Sequence, residues 1–319
     1  MSKIIKYIKE HRFIQILLFL MAMTISYFAG YCTRRVHDFR EQQAIFQQMA
    51  QEYRVELPQE TTVSQPQVEE NVEPEQEAEP EEEIDVIAEF LAIDGYQELY
   101  GDCLAEVLDF TALRQINDDI VAYLYLPDSV IDYPVLQHEE NGYYLDHNLN
   151  GSTGYPGCLY IENMNRPDFE DPATVIYGHH LFTGGMFSDL ENFLDPEYLD
   201  GHRFYFLYLP DEIRIYEVVL AAKYNNEHLL VSCYTQIEEN LYEFHGFEGG
   251  EGKLIYDRIQ ALGLGGNFRR EPGEEEQMIF WSTCLPARNR RIIVGARRIT
   301  EENVRQLTEQ QMTVDSLDN

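Results

Sequence analysis

The sequence predicts a mainly β protein: a closed eight-stranded barrel with helices on its N-terminal side, preceded by a single transmembrane helix. Three observations carry this. An apolar run of 19 residues, Phe13 to Tyr31, lies near the start. From about Ile84 the composition turns globular after a long acidic stretch. Beyond Val121, eight short β-rich runs alternate with turn signals. Many short strands with few helices point to closure, which removes exposed sheet edges.

The apolar run is broken only by Gln15, Thr24 and Ser26. At helical rise it spans roughly 28 Å, close to the hydrocarbon thickness of a bilayer. Lys3, Lys6, Lys9 and Arg12 precede it, and Arg34, Arg35 and Arg40 follow, so charge alone biases orientation only slightly. Phe28-Ala29-Gly30-Tyr31 leads straight into Cys32 and charges, without a small-residue cleavage site. An uncleaved signal anchor is favoured over a cleaved leader. Residues 1–35 are therefore expected to be a cytoplasmic N-terminus and membrane anchor.

Residues 36–83 are expected to form an acidic, disordered stalk. Between Val55 and Asp85 there are twelve acidic residues and no Lys or Arg, with Pro58, Pro66, Pro74 and Pro80 interspersed. Like charges and few apolar groups keep such a segment extended. Residues 84–319 are expected to be the globular domain, outside the membrane.

Within that domain a helix is expected over Ile84 to Tyr100 and another over Phe110 to Ile120, the latter capped by Asp109. Strands are expected at Val121–Leu126, Pro134–Gln137, Cys158–Ile161, Thr174–Tyr177, Arg203–Leu209, Arg214–Tyr224, Met278–Ser282 and Arg291–Arg297. Pro127-Asp128, Asn150-Gly151 and Pro210-Asp211 supply turns between them.

A formal net charge of −34 argues against a nucleic-acid partner, which would call for a Lys/Arg surplus. The five cysteines show no CxxC spacing and no clustering with histidine, so zinc and thioredoxin-like chemistry are weakly supported. An odd count leaves at least one thiol free or bonded between molecules. Burial as a small apolar side chain is the ordinary fate of any one cysteine; Cys158 and Cys233, in expected strands, fit it.

Three segments stand apart from ordinary packing. Thr174-Val-Ile-Tyr-Gly-His179-His180 is an apolar strand ending in two histidines, and alternation puts Val175, Tyr177 and His179 on one face. A histidine at a strand end can serve as catalytic acid or base, although a surface histidine is the commoner case. Adjacent strand residues point apart, which weakens a metal pair at His179 and His180. Met278-Ile-Phe-Trp-Ser-Thr-Cys284 places Phe280, Ser282 and Cys284 on one face, with the thiol at the strand's end. Arg288, Arg290 and Arg291 follow, and nearby positive charge is what a thiolate nucleophile needs. Arg291-Ile-Ile-Val-Gly-Ala-Arg297 is a β-branched strand entered through a guanidinium suited to a developing oxyanion. Arg288 reads as a solubilising turn residue.

Together these segments resemble the sortase family: a strand ending in Tyr-Gly-His, one ending in Thr-Cys, and an Arg-led strand. Class B sortases are the most similar. Ile131-Asp-Tyr-Pro-Val135, Tyr143-Tyr-Leu-Asp-His-Asn148 and Met186-Phe187 follow the same order, so the resemblance covers roughly residues 108–300. It implies a sortase-type β-barrel, His179 as catalytic histidine, Cys284 as nucleophile and Arg291 as the essential arginine. Asn141, Leu145, Tyr177 and Ser282 match positions lining the sorting-signal groove. The usual Thr-Leu-x-Thr-Cys reads Phe280-Trp-Ser-Thr-Cys284 here. Arg290 stays a competitor for Arg291, and Tyr224 to Gln236 aligns poorly and receives no substrate contacts.

The resemblance further implies a cysteine transpeptidase on the outer face of the cell membrane, with no metal or organic cofactor. Its partners would be surface proteins or pilins bearing a sorting signal, and an amine of a peptidoglycan precursor or a pilin. Arg291 and a backbone N–H near Leu285 would meet the oxyanion. Two alternatives stay open: an extracellular cysteine protease releasing product to water, and a non-enzymatic surface binding module with an unreactive Cys284.

Overall fold

The computed structural model describes residues 2–56, 85–181, 184–238, 241–284 and 290–317. Its first element, α1 (Ser2–Glu52), is one continuous helix. Apolar side chains from Ile14 to Tyr31 are exposed on it. This part of the helix is long and apolar enough to cross a membrane.

The helix then changes character without breaking. Phe39, Gln42, Phe46 and Met49 recur at helical spacing and are all buried. Phe46 meets the Tyr133 ring edge-on at 5.2 Å, and Gln43 Nε2 donates to the Tyr133 hydroxyl at 2.7 Å. After the helix, Arg54–Glu56 forms an antiparallel ribbon with Glu106–Leu108. The stalk expected over 36–83 therefore starts too early: residues 36–56 are ordered helix and ribbon, packed on the domain. Residues 57–84 lie outside the described residues.

Where one helix was expected over Ile84 to Tyr100, two occur: α2 (Val86–Leu91) and α3 (Tyr96–Leu104). Asp85 caps the first, accepting from the Ile87 and Ala88 amides. Gly95, at φ +78°, makes the corner between them. Phe90, Tyr96 and Tyr100 surround Phe204, docking both helices on the barrel. The third, α4 (Phe110–Ile116), is capped by Asp109, which accepts from Ala112 N at 3.0 Å. It stops short of Ile120, which enters the first barrel strand.

Eight strands close the barrel: β1 (Ile120–Tyr125), β2 (Asp132–Leu136), β3 (Leu159–Ile161), β4 (Ala173–Tyr177), β5 (Phe204–Tyr208), β6 (Ile213–Tyr224), β7 (Met278–Cys284) and β8 (Arg291–Arg298). Their order is β6-β8-β7-β4-β3-β2-β1-β5, and β5 pairs back onto β6 to complete the ring. All eight coincide with expected strands to within two residues at either end. A short strand, Gly266–Phe268, adds to β6 outside the ring.

Three helices and a hairpin escaped the sequence reading: α5 (Pro196–Gly201), α6 (Glu251–Leu262), α7 (Glu301–Leu317), and Tyr234–Glu238 with Leu241–Phe244. They matter because they cover strand faces. Ile279 and Trp281 on β7 join one core with Ile176, Ile292 and Val294. Phe280 joins a second core with Val175, Ile293 and the α6 residues Ile255, Tyr256 and Ile259. Both faces of these strands are thus buried, which explains their near-continuous apolar runs.

Candidate active site

Strand register assembles the site. β7 runs between β4 and β8, parallel to the first and antiparallel to the second. Ser282 pairs with Tyr177, and Gly178 N donates to Ser282 O at 3.2 Å. This pairing is the last of the β4–β7 ladder, and His179 follows two residues beyond the end of β4. On the other side Cys284 is the register partner of Arg291. Neighbouring strands lie about 4.8 Å apart, so Cys284 and Arg291 are neighbours across β7 and β8, and His179 follows the adjacent strand β4 at the same end of the sheet.

Alternation decides which side chains share that end. Val175, Phe280 and Ile293 pack beneath α6, and the next positions on the same face are Tyr177, Ser282 and Arg291. Ser282 is buried. Arg291 Nη1 donates to its hydroxyl at 3.3 Å, and the guanidinium lies over the Tyr177 ring, 5.9 Å from its centroid. Arg291 is half-buried while Arg290 is exposed.

His179 is half-buried. Its Nε2 lies 2.6 Å from the Leu145 carbonyl oxygen. A carbonyl only accepts, so this nitrogen carries a proton. The Tyr155 ring is 5.9 Å away, and Arg35 of α1 lies 4.9 Å from the centroid of that tyrosine. Gly178, just before His179, is closely packed on its side-chain side. A Cβ there would fall 2.4 Å from Leu159 Cδ2 and 2.7 Å from Phe187 Cδ2. The loop returning from His180 is held by Met186 N, which donates to the Tyr133 hydroxyl at 3.0 Å. The same hydroxyl accepts from Gln43, so α1 braces the histidine loop.

The other expected groove residues divide. Leu145 is half exposed and offers its carbonyl to His179. Tyr177 points its hydroxyl at Glu162, and burial together with the Glu162 charge holds that phenol well above its usual range. Asn141 is exposed just ahead of the turn Tyr143–Leu145. The expected oxyanion amide near Leu285, and Arg288, lie outside the described residues.

The remaining described cysteines are poor nucleophiles or remote. Cys103, Cys158 and Cys233 are buried free thiols, and burial pushes each upward, Cys233 to about 11. Cys32 is exposed on α1. There is no disulfide among the described residues.

No family model matches the chain. Over 90 residues it is 40% identical to sortase B of Listeria monocytogenes, a stretch covering 28% of this chain and 37% of that protein. The chain thus spans little more than a third of the length of the curated relative it matches. In three dimensions it resembles the crystal structure of Staphylococcus aureus sortase B with a TM-score of 0.51 and 23% identity, covering 64% of this chain and 93% of that one. A Staphylococcus aureus sortase B–substrate complex gives 0.50 at 23% identity, covering 60% and 85%. The chain resembles class B sortases in sequence over this stretch and in its overall fold. The barrel ring is the one this sortase fold shares.

Several residues around the site of this sortase-like chain were not singled out from sequence. Glu162 is a buried carboxylate at the end of β3, and His228 Nε2 lies 2.8 Å from it. Tyr155, Tyr133 and the α1 residues Arg35 and Gln43 complete the surround. A glutamate directly after the apolar run Leu159–Ile161 was the one readable signal among them. The others act through contacts far apart in the chain.

Proposed function

We propose that the chain is a membrane-tethered cysteine transpeptidase, acting on a C-terminal sorting motif of substrate proteins. The observation that supports this is that Cys284 and Arg291 are register partners while His179 follows the end of β4, the strand on the other side of β7. A titratable imidazole, a thiol and a fixed cation side by side are what acyl transfer through a thioester requires.

In this reading the Cys284 thiolate adds to the scissile carbonyl. Arg291, with an amide near Leu285, stabilises the oxyanion. The C–N bond then breaks, His179 gives a proton to the departing amine, and the acyl group remains on sulfur. An incoming amine from a peptidoglycan precursor or a pilin adds to the thioester and loses a proton to His179. The thiolate leaves and a new amide is formed. The bond from Nε2 to the Leu145 carbonyl fixes the orientation of the imidazole. Asn141, Leu145, Tyr177 and Ser282 border the groove for the motif.

The apolar part of α1 spans the cell membrane once, with the barrel on the outer side. A tethered enzyme meets substrates held at the same membrane at raised effective concentration.

The test uses the full chain in detergent with quenched peptides carrying candidate motifs, with and without an added amine, beside Cys284→Ala. Cleavage that requires Cys284, with product captured by the amine, supports the transpeptidase. Cys284-dependent release of free acid alone would replace it with a protease. An unreactive thiol and no turnover would leave a binding module.

A further inference from the structure

Glu162 is a buried carboxylate that the mechanism above leaves unused. Its side chain is 3% exposed. One carboxylate oxygen accepts the Tyr177 hydroxyl and lies 2.8 Å from His228 Nε2. The other is buried with no partner among the described residues. Burying an anion with one oxygen unfilled is costly, and a neutral amide oxygen could accept from the same two donors.

Arg291 lies on the other side of Tyr177. Tyr177 bridges the two groups, with its hydroxyl on Glu162 and its ring beneath the Arg291 guanidinium. A phenol donating to a carboxylate is polarised toward a more electron-rich ring, which strengthens its hold on a cation. Arg291 has otherwise only the 3.3 Å bond to Ser282 Oγ, and its Nε is buried without a partner among the described residues. Orientation of the Tyr177 ring is therefore a main restraint on where the guanidinium points. Tyr160 stacks on the same ring at 5.4 Å, so the ring is clamped at its face and at its hydroxyl.

We propose that Glu162 is a positioning residue: through the Tyr177 hydroxyl it fixes the ring that carries Arg291, and so aims the guanidinium at the end of β7. This rests on the reading of Arg291 as the group that meets the oxyanion. His228, bound to the same oxygen and edge-on to Tyr234 at 5.4 Å, ties the segment after β6 to this anchor.

The test compares Glu162→Gln, which keeps shape and removes charge, and Tyr177→Phe, which keeps the ring and removes its hydroxyl. Both are made in the full chain in detergent. Three quantities are read: kcat/KM on a cleaved peptide, the rate of Cys284 alkylation by iodoacetamide, and the melting temperature. Alkylation needs the thiolate but passes through no tetrahedral oxyanion, so it reads the state of the thiol separately from the oxyanion step. Turnover lowered about tenfold in both variants, with alkylation and melting close to the parent, is the expected result. Parent-like kcat/KM in either variant overturns the proposal, and so does a loss matched by equally slowed alkylation. If Glu162→Gln does not fold, Tyr177→Phe decides alone. A parent without Cys284-dependent cleavage removes the transpeptidase reading and this inference together, whereas an active parent with indifferent variants removes only this inference.

Discussion

Cys284 and Arg291 are register partners across the β7–β8 ladder. The pairing places residue 284 one strand away from Arg291, whose guanidinium contacts Ser282 and the Tyr177 ring among the described residues. Arg290, one residue earlier, is exposed and precedes the strand.

That difference separates the two arginines experimentally. Arg291→Ala should lower kcat/KM by about 10²- to 10³-fold, the scale of losing one oxyanion donor. Arg291→Lys should recover little of it, because an ammonium cannot reproduce the planar fork. Arg290→Ala should stay within about threefold of the parent, since an exposed charge at this distance is screened. Steady-state cleavage of one peptide by the three variants checks this, and a larger loss at Arg290 would reverse the assignment.

A second cluster of charge lies at the far end of the same strands and bears on stability. Glu217 is buried between Arg203 and Arg297, the latter 2.6 Å away, and Arg297 also reaches Glu276 at 2.7 Å. Burial alone would raise the Glu217 carboxyl, but the two guanidinium groups outweigh it and hold it below its ordinary value. A folded value below the unfolded one means that stability is fully present above about pH 4.5 and is lost as pH falls through the depressed value. Glu217→Gln should cost about 3–5 kcal/mol at pH 7, because it leaves Arg297 buried beside a neutral group. The gap in melting temperature between parent and variant should shrink steadily below pH 4.5. A gap that stays constant down to pH 3 would show that the charge of Glu217 is not what the variant lost.

How much of this was legible in the sequence follows from what each feature depends on. The barrel strands were readable because β-branched and aromatic runs bounded by turn residues are local signals. His179, Cys284 and Arg291 were readable for the same reason, each lying at the end or start of such a run. The helix over 36–52 was not. Phe39, Gln42, Phe46 and Met49 keep helical spacing, but Gln42 and the polar residues between them dilute the stripe. The single helix expected over Ile84 to Tyr100 failed at Gly95, where a positive φ makes a corner that composition averages away. Glu162 becomes informative only when Tyr177, fifteen residues on, and His228, on another segment, are brought to it.

Gly178 offers a test of how closely the fold constrains the histidine. Its absent Cβ leaves room for Leu159 and for Phe187, which itself stacks on Trp281 at 5.6 Å. Gly178→Ala would press on both side chains, and overpacking of this kind costs about 1–3 kcal/mol. Because the next residue is His179, activity should fall by more than the melting temperature alone implies. Measuring kcat well below the melting transition isolates that part. A variant that melts lower but turns over at the parental rate would mean that Gly178 serves packing only.

The brace from α1 makes the strongest claim on the whole chain. A chain beginning at Ile84 lacks Phe39, Phe46 and Met49, the ribbon strand Arg54–Glu56, and the Gln43 bond to Tyr133. Buried aromatic and aliphatic side chains contribute about 1.5–3 kcal/mol each, so this shorter chain should be less stable by several kcal/mol than one beginning at Val36. The Tyr133 hydroxyl also holds Met186, in the loop that returns from the histidines. Loss of Gln43 alone should therefore act on turnover more than on folding. In Gln43→Ala the buried phenol oxygen keeps one donor and loses another, a change of about 1 kcal/mol. The expected outcome is a melting temperature within a few degrees of the parent and a fall in kcat of a few-fold, measured on the full chain in detergent. If Gln43→Ala matches the parent in kcat while the Ile84 chain is merely less stable, α1 supports the barrel without steadying the histidine loop.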